Sequence, residues 1–489
     1  MSLARDTIRG ALWTISSGMG SRTIGLFGTL IVTRFITPAD YGEVTVAAVL
    51  VMSANQLSTI GFGQYLVANP TAPRSVAFHV TAFHLLLGVL ALAVLLAAGG
   101  ALGPWLDAPR MTRFLPGLVL SGLFDRAAFV PERVLVRELR FAPLSMVRTV
   151  GDLAHSALSV TLAALGWGGA AIVMGNVARS TVRFVGFAAS VERRDWLEPC
   201  RLSLRQTREL LEFGVPMSLG ALCAFAARRW DNLLVARFFG PGPTGMYNLA
   251  YNLADVPAIQ VGEQIGDVLL PSFARIDLGR RPAALVRSMA LLALVVFPLA
   301  VGLGAVAPSL VATLFDARWR PIAPMLVLLS ALSVARPVGW TVASYLQARQ
   351  MPRLIFWLEL WKLVLLIGGI CTFGRISPEW TCAAVGVSFG LHGLASLWVV
   401  RRLDRVPLRR SLGSLAPALG ACLAMVVGIL LVRHALGALG PVRPAFELTC
   451  EVLVGAVTYL LAALVLAREA SRELLGKVSD ALRSHPVPE

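Results

Sequence analysis

The sequence contains few charged residues for its length. They account for 15% of its 489 residues, and apolar residues account for 56%. A soluble domain carries about 25% charged residues. A chain with so little charge cannot cover its surface with ionised groups, so the composition excludes a soluble globular protein and predicts a membrane protein.

Signatures of catalysis, metal binding and nucleotide hydrolysis are also missing. The six cysteines show no CxxC pair and no metal-ligand spacing, so no metal site is expected. The lysines, Lys362 and Lys477, lack the upstream glycine of a Walker A loop, which excludes a built-in ATPase. No DxD sequence occurs, and no external connection is predicted to be long. We therefore expect neither an enzyme nor a bound cofactor.

Long apolar segments fill most of the chain. Fourteen of them are long enough to cross about 30 Å of hydrocarbon at 1.5 Å per residue. The first carries Arg22 in mid-span and is too long for a signal peptide, so we predict a retained helix. The segments lie at 10–36, 41–68, 77–103, 112–131, 142–165, 167–190, 209–239, 244–273, 284–315, 321–348, 353–374, 379–401, 411–436 and 445–467.

The distribution of basic residues predicts the orientation of these segments. With a cytoplasmic N-terminus, twenty-six lysines and arginines fall in the inner connections and tails, and seven fall in the outer connections. Cytoplasmic loops are enriched in Lys and Arg, so we predict that both termini are cytoplasmic. The net charge of +16 is then a consequence of topology, and no nucleic-acid partner is expected.

One short pattern occurs twice in the sequence. RFITPADYG (34–42) and RFFGPGPTG (237–245) both end an apolar segment with Arg-Phe, followed by Pro three residues after the Phe and Gly four residues after the Pro. The same offset of 203 residues aligns Gly63 with Gly266. Six predicted spans separate the copies, and an even number gives both copies the same orientation. We therefore predict a parallel repeat about an axis along the membrane normal.

This repeat defines the predicted domains. The chain is expected to be an all-α polytopic membrane protein with two parallel six-helix lobes and two further C-terminal helices. The lobes should rock against each other, as in transporters with parallel repeats. The predicted parts are an N-terminal lobe at 1–190, a cytoplasmic linker at 191–208, a C-terminal lobe at 209–402, and two helices with a cytoplasmic tail at 403–489.

Several stretches of the sequence together indicate a family. They are RFITPADYGEVTVAAVLV (34–51), STIGFGQYLV (58–67), RELRFAPLSMVR (137–148), LGWGGAAIVMG (165–175), the run from 212 to 257, VLLPSFARI (268–276) and LFDARWRPIAPML (314–326). These stretches resemble the bacterial Wzx-type polysaccharide repeat-unit flippases of the multidrug/oligosaccharidyl-lipid/polysaccharide (MOP) exporter superfamily, which implies two lobes around a central cavity. The resemblance covers about residues 1–400.

The resemblance implies a MATE-like fold and a function. The expected substrate is an undecaprenyl-pyrophosphate-linked oligosaccharide, moved from the cytoplasmic to the periplasmic leaflet of the bacterial inner membrane. The implied partners are this lipid-linked substrate, membrane lipid, and a polysaccharide polymerase and glycosyltransferases of the same pathway. The resemblance also implies coupling to proton or sodium antiport.

Basic residues inside the predicted spans indicate an anion-binding interior. An arginine at mid-membrane costs about 2.5–3.5 kcal/mol, so such residues should face protein or water. Arg148 can snorkel or pair with Asp152 at i+4, and Lys362 can pair with Glu359 at i−3. The remaining candidates for binding the anionic head group are Arg22, Arg126, Arg179, Arg183, Arg228, Arg229 and Arg336.

Four of these arginines occur as two close pairs in the sequence. Arg179 and Arg183 are four residues apart, so they share one helix face with no acid near them in sequence. Arg228 and Arg229 are adjacent, so one is expected to reach the cavity while the other pairs with Asp231 or Asp255. Pairing of all these arginines with acids on neighbouring helices is the alternative.

Acidic residues inside the spans are candidates for ion coupling. Glu263 and Asp267 are four residues apart, and their repulsion would favour protonation of one of them. His155, three residues after Asp152, is a further candidate proton carrier. A purely structural role for these residues is the alternative. The full set is Asp125, Asp152, His155, Asp255, Glu263 and Asp267.

Two other functions fit a polytopic membrane protein. A MATE-type drug or metabolite antiporter would need an acidic or aromatic interior to bind cations. A non-transporting scaffold would have no reason to place charge inside the membrane. The basic interior predicted here favours a flippase over both.

Overall fold

The computed structural model describes residues 24–68, 73–440, 442–468 and 470–473. Within these ranges the regular structure is entirely helical, which confirms the all-α prediction. The helices are α1 Ile24–Phe35, α2 Pro38–Leu57, α3 Phe62–Ala68, α4 Arg74–Trp105, α5 Met111–Arg137, α6 Phe141–Ala164, α7 Gly169–Ser190, α8 Arg194–Leu197, α9 Leu204–Phe239, α10 Pro241–Arg275, α11 Arg281–Ala305, α12 Ala307–Leu314, α13 Ile322–Leu332, α14 Arg336–Ala348, α15 Pro352–Gly369, α16 Pro378–Asp404, α17 Leu408–Gly413, α18 Ala416–Ala438 and α19 Pro444–Leu466.

Each predicted segment that falls in the described ranges coincides with one helix or with two consecutive helices. Within the described part of the chain, eight helical stretches are long and apolar enough to cross a membrane: Arg74–Trp105, Met111–Arg137, Arg281–Ala305, Ile322–Ala348, Pro352–Gly374, Pro378–Asp404, Leu408–Ala438 and Pro444–Leu466. The other six segments are shorter within the described ranges or contain more polar residues. The number fourteen therefore stays a prediction.

The chain divides into two compact units, Met1–Asn248 and Leu249–Glu489, called here the N-terminal and C-terminal units. In the N-terminal unit, α5 packs against α4 and α7, and α6 packs against α7. In the C-terminal unit, α11 packs against α13 and α18, α16 packs against α13 and α15, and α18 packs against α19. The predicted domain boundaries at 190, 208 and 402 stay predictions.

The two copies of the Pro-Gly pattern both lie where one helix ends and the next begins. In the first copy, Thr37 caps α2 by accepting a hydrogen bond from the Asp40 N–H at 3.1 Å, and Pro38 is the first helical residue. In the second copy, Gly240 has a φ of +75° and Pro241 begins α10. Proline fits the first helical turn, where its missing N–H is not needed. Both patterns therefore form helix–helix corners.

These two corners contact each other through their glycines. A Cβ on Gly42 would lie 1.8 Å from the Pro241 carbonyl oxygen, and a Cβ on Gly245 would lie 2.1 Å from the Pro38 carbonyl oxygen. The contact is reciprocal, as at an interface between two symmetry-related surfaces. Each copy of the pattern thus provides a glycine, and the missing Cβ lets the backbone of the other copy approach.

Candidate functional site

Arg126 lies on α5 and is almost fully buried, with 3% of its surface exposed. Its Nε donates to Asn55 Oδ1 at 2.8 Å, and its Nη atoms contact the Asn55 carbonyl oxygen, Ser58 Oγ and the His84 ring. The His84 ring stacks on Phe129, with 4.1 Å between centroids. Among the described residues, no carboxylate forms an ion pair with Arg126. Neutral groups therefore hold this buried charge.

Arg179 and Arg183 lie one turn apart on α7, as the sequence predicts. Arg183 Nη2 is 2.7 Å from Asp152 Oδ1 of α6. Arg179 is half-buried and its Nη2 donates to Asn176 Oδ1 at 2.5 Å. No described carboxylate forms an ion pair with Arg179. Arg183 therefore has a carboxylate partner on a neighbouring helix, and the binding role predicted for both arginines stays a prediction.

Arg148 does not pair with Asp152, the residue that its i+4 spacing suggested. It pairs instead with Glu132 of α5. The reason lies in the contact between α6 and α7, where a Cβ on Gly151 would be 3.1 Å from Arg183 Cγ. This close approach places Asp152 beside Arg183. Arg148 therefore forms its ion pair with Glu132 of α5.

Asp125 of α5 lies near the arginines described above. Its carboxylate is exposed and interacts with Ser180 and with the charges of Arg179 and Arg183. The cluster thus holds three acids and four arginines on α5, α6 and α7: Asp125, Glu132, Asp152, Arg126, Arg148, Arg179 and Arg183. One positive charge remains in excess, so the cluster is cationic but less so than the sequence suggested.

His155 lines a small cavity in the N-terminal unit. The cavity has a volume of about 80 Å³ and is also lined by Gly28, Thr29, Ser156 and Ser159. The Nδ1 of His155 and both serine Oγ atoms are buried and have no hydrogen-bond partner among the described residues. A polar cavity of this size is large enough for water. The surroundings of His155 are therefore compatible with its predicted role as a proton carrier.

Arg228 and Arg229 follow each other on α9. Arg228 is exposed and Arg229 is half-buried. Asp231, one of the acids expected to pair with them, accepts hydrogen bonds from Tyr247 Oη at 2.6 Å and from Asn232 Nδ2 at 2.9 Å. Neutral donors from α9 and α10 thus hold the Asp231 carboxylate.

In the C-terminal unit, Arg336 at the start of α14 forms an ion pair with Asp255 of α10. Their side chains are 8% and 12% exposed. The Arg336 guanidinium lies 5.2 Å from the centroid of the Tyr251 ring and 4.9 Å from that of the Phe389 ring. A predicted head-group residue and a predicted coupling acid are therefore one buried pair. An anion would have to displace Asp255 to reach Arg336.

A second cluster of buried ionisable residues lies on α15 and α16. Lys362 Nζ is 2.5 Å from Glu359 Oε2, which confirms the pairing predicted from their spacing. His392 Nε2 is 3.8 Å from Glu359 Oε1, and Lys362 Nζ is 5.4 Å from the centroid of the Phe389 ring. His392 was not among the residues predicted from the sequence. It could have been found as a histidine within an apolar span, where ionisable residues are costly.

Three predicted site residues cannot be placed. Arg22 lies outside the described residues. Glu263 and Asp267 belong to α10, but their side chains lie outside the described part of the structure. Their roles stay predictions.

Solved structures of exporters share this fold. Lipid II flippase MurJ, in an inward closed conformation, matches with a TM-score of 0.72 and 13% identity over 94% of this chain and 99% of that chain. An inward-facing MATE family transporter of the MOP superfamily matches with a TM-score of 0.58 and 16% identity over 82% of this chain and 94% of that chain. The chain thus has the multi-pass membrane fold of these proteins, which confirms the predicted MATE-like fold.

A family of polysaccharide biosynthesis proteins matches residues 31–324, and this chain belongs to that family. It is 26% identical over 397 residues to lipopolysaccharide biosynthesis protein WzxC of Escherichia coli (strain K12), covering 80% of this chain and 78% of that protein. It is 25% identical over 482 residues to succinoglycan biosynthesis transport protein ExoT of Rhizobium meliloti (strain 1021), covering 96% and 95%. The relative ExoT is named as a transport protein, which supports the prediction that the chain is not an enzyme.

Proposed function

We propose that this protein flips undecaprenyl-pyrophosphate-linked polysaccharide repeat units from the cytoplasmic to the periplasmic leaflet of the bacterial inner membrane. Two lobes would alternate in opening to the two sides, with both termini in the cytoplasm. The membership in a polysaccharide biosynthesis family and the names of the relatives support this proposal. A polymerase and glycosyltransferases of the same pathway would be the functional partners.

The observation that carries the proposal is Arg179. Its guanidinium is half-buried, and its one described hydrogen bond goes to Asn176 of its own helix. Arg183, the neighbour on the same face, forms an ion pair of 2.7 Å with Asp152, which neutralises its charge. A guanidinium binds phosphate oxygens through two parallel hydrogen bonds, so Arg179 suits a pyrophosphate head group. Arg183 would assist once Asp152 releases it.

The alternative functions fit the described interior less well. A transporter of cationic drugs needs an excess of acid, whereas the cluster on α5, α6 and α7 has one excess positive charge. A scaffold gains nothing from the insertion cost of these charges. Extrusion of a cationic dye without any effect on polysaccharide assembly would favour the drug antiporter.

Replacement of Arg179 by Gln tests the proposal. A charge-assisted hydrogen bond contributes about 1.5–3 kcal/mol, so Arg179→Gln should weaken head-group binding about tenfold to a hundredfold. Surface polysaccharide should fall, and the lipid-linked unit should accumulate in the inner leaflet at normal protein level. The double Arg179→Gln, Arg183→Gln variant should stop assembly, and Lys at position 179 should rescue only in part.

Arg148→Gln is the matched control for this experiment. It removes one charge from the same cluster, but Arg148 is paired with Glu132, so its guanidinium is already compensated. Transport should persist in this variant. Full polysaccharide export by the Arg179, Arg183 double variant at normal protein level would refute the anion-binding mechanism.

A further inference from the structure

A groove opens at one end of the C-terminal unit, between the start of α11, the connection of α17 to α18, and the end of α19. Its volume is about 720 Å³. Along α11 it extends from Ala283 to Leu294, which is about 16 Å at 1.5 Å per residue. Leu291, Val465 and Leu466 contribute to its apolar lining. Its depth is therefore about that of one hydrocarbon leaflet.

Arginines from three helical segments lie at the rim of this groove. They are Arg287 of α11, Arg410 of α17, and Arg468 just after α19. Arg287 Nε is 2.6 Å from Glu473 Oε2, which is the acid that lines the groove. Arg410 and Arg468 are exposed, and no described carboxylate forms an ion pair with them. The rim thus has two positive charges in excess.

Topology alone would place arginines at these helix ends. The predicted orientation puts all three ends on the cytoplasmic side, where basic residues are enriched. Topology does not explain why arginines of three segments meet at one apolar groove. Arg409 lies next to Arg410 on the same predicted cytoplasmic side, but it does not line the groove. A cytoplasmic position alone therefore does not place an arginine in the groove.

We propose that this groove binds a phospholipid with an anionic head group from the cytoplasmic leaflet. The phosphate contacts Arg410 and Arg468, and an acyl chain lies along the apolar residues of α11 and α19. A basic rim above an apolar groove at the membrane interface is complementary to such a lipid. A zwitterionic lipid offers no net charge to the two unpaired arginines. The lipid joins the two C-terminal helices to α11, apart from the residues proposed to bind the transported head group.

Thermal unfolding of the purified full-length protein in neutral detergent tests this proposal. Phosphatidylglycerol is titrated in mixed micelles, with phosphatidylcholine as the comparison, and the midpoint temperature gives an apparent affinity. Phosphatidylglycerol should stabilise the protein at lower concentration than phosphatidylcholine, and added salt should reduce the difference. Each arginine near an anionic lipid surface contributes about fivefold to binding. Arg410→Gln with Arg468→Gln should therefore weaken the binding of phosphatidylglycerol about thirtyfold.

Two variants complete the experiment. Arg409→Gln removes the same charge outside the groove and should leave the affinity unchanged. Glu473→Gln removes the groove's acid and should strengthen phosphatidylglycerol binding. Equal stabilisation by both lipids, or an equal loss in the Arg409 and Arg410 variants, would overturn the proposal. A polyprenyl phosphate that binds more tightly than phosphatidylglycerol in this groove would also overturn it, because the groove would then belong to the transported substrate.

Discussion

Buried charged side chains in this protein are stabilised by two kinds of neighbour. Arg126 is held by neutral oxygen and nitrogen atoms, whereas Arg183 and Arg336 each face a carboxylate. The two arrangements have different consequences. A pair of opposite charges leaves no net charge, while a guanidinium among neutral groups keeps its positive charge inside the protein. Arg126 therefore keeps a positive charge inside the N-terminal unit.

The Glu359–Lys362 pair allows a test of what such burial costs. Their side chains are 17% and 9% exposed, so removal of one partner leaves the other charge without compensation. Lys362→Met should destabilise the protein by about 3–5 kcal/mol, and the double variant with Glu359→Gln should recover most of this loss. Thermal unfolding in detergent gives the order of stabilities.

A surface pair provides the control for this cycle. Arg208 and Glu212 are also ion-paired along one helix, but their side chains are 81% and 62% exposed. Water screens such a pair, so Arg208→Gln should have little effect. If Lys362→Met were as mild as Arg208→Gln, the buried pair would not contribute to stability.

The pairs also show which contacts could be predicted from sequence. Lys362 and Glu359 are three residues apart on one helix, and helical periodicity alone brings them together. Arg183 and Asp152 are 31 residues apart and meet only because α6 packs closely on α7 at Gly151. Sequence spacing contains no information on that helix packing. The local pair Lys362–Glu359 was therefore predictable, whereas the local pair suggested for Arg148 and Asp152 is replaced by ion pairs between helices.

At the scale of the helices, the two Pro-Gly corners form the most specific contact. Helix ends were predictable there because Pro and Gly have local backbone effects. Their mutual contact was not, although the repeated pattern indicated that both corners matter. The contact joins backbone to backbone, so a larger residue cannot be accommodated by rotation of a side chain.

Alanine at either glycine of the corner contact tests this interpretation. A Cβ at Gly42 or Gly245 would overlap a carbonyl oxygen of the opposite corner. Gly42→Ala and Gly245→Ala should each destabilise the protein by about 1–3 kcal/mol, as expected for overpacking. Because both substitutions strain one contact, the double variant should cost less than the sum.

Gly242 is the matched control within the second corner. A Cβ at Gly242 would have no heavy atom within 4 Å. Gly242→Ala should therefore be neutral or slightly stabilising in the same thermal unfolding measurement. Equal losses at positions 42 and 242 would show that the reciprocal contact has no energetic importance.

At the scale of the whole molecule, composition determined more than any motif. The scarcity of charge predicted a polytopic membrane protein, and the fold shared with a solved flippase and a solved MATE transporter confirms this prediction. Eight helical stretches of the described residues are apolar enough to cross a membrane by composition. The charged helix α7, with Arg179 and Arg183, is not among them, because its polar residues lower its mean hydropathy. Hydropathy therefore misses this candidate helix, although it identifies α5 with Asp125 and Arg126.

Cysteine labelling in intact cells tests the predicted orientation. Arg194→Cys lies in the predicted cytoplasmic linker, so an impermeant maleimide should label it only after the membrane is permeabilised. Arg443→Cys lies in a predicted outer connection and should be labelled in intact cells.

Native Cys200 in the linker could also be labelled, but burial and, to a smaller extent, Glu198 raise the pKa of its thiol. The thiolate is the reactive form. At pH 7 its fraction is therefore lower than for an ordinary cysteine and increases as the pH rises, so labelling at pH 7 minimises this background. Strong labelling of Arg194→Cys in intact cells would reverse the orientation and, with it, the proposed cytoplasmic position of the lipid groove.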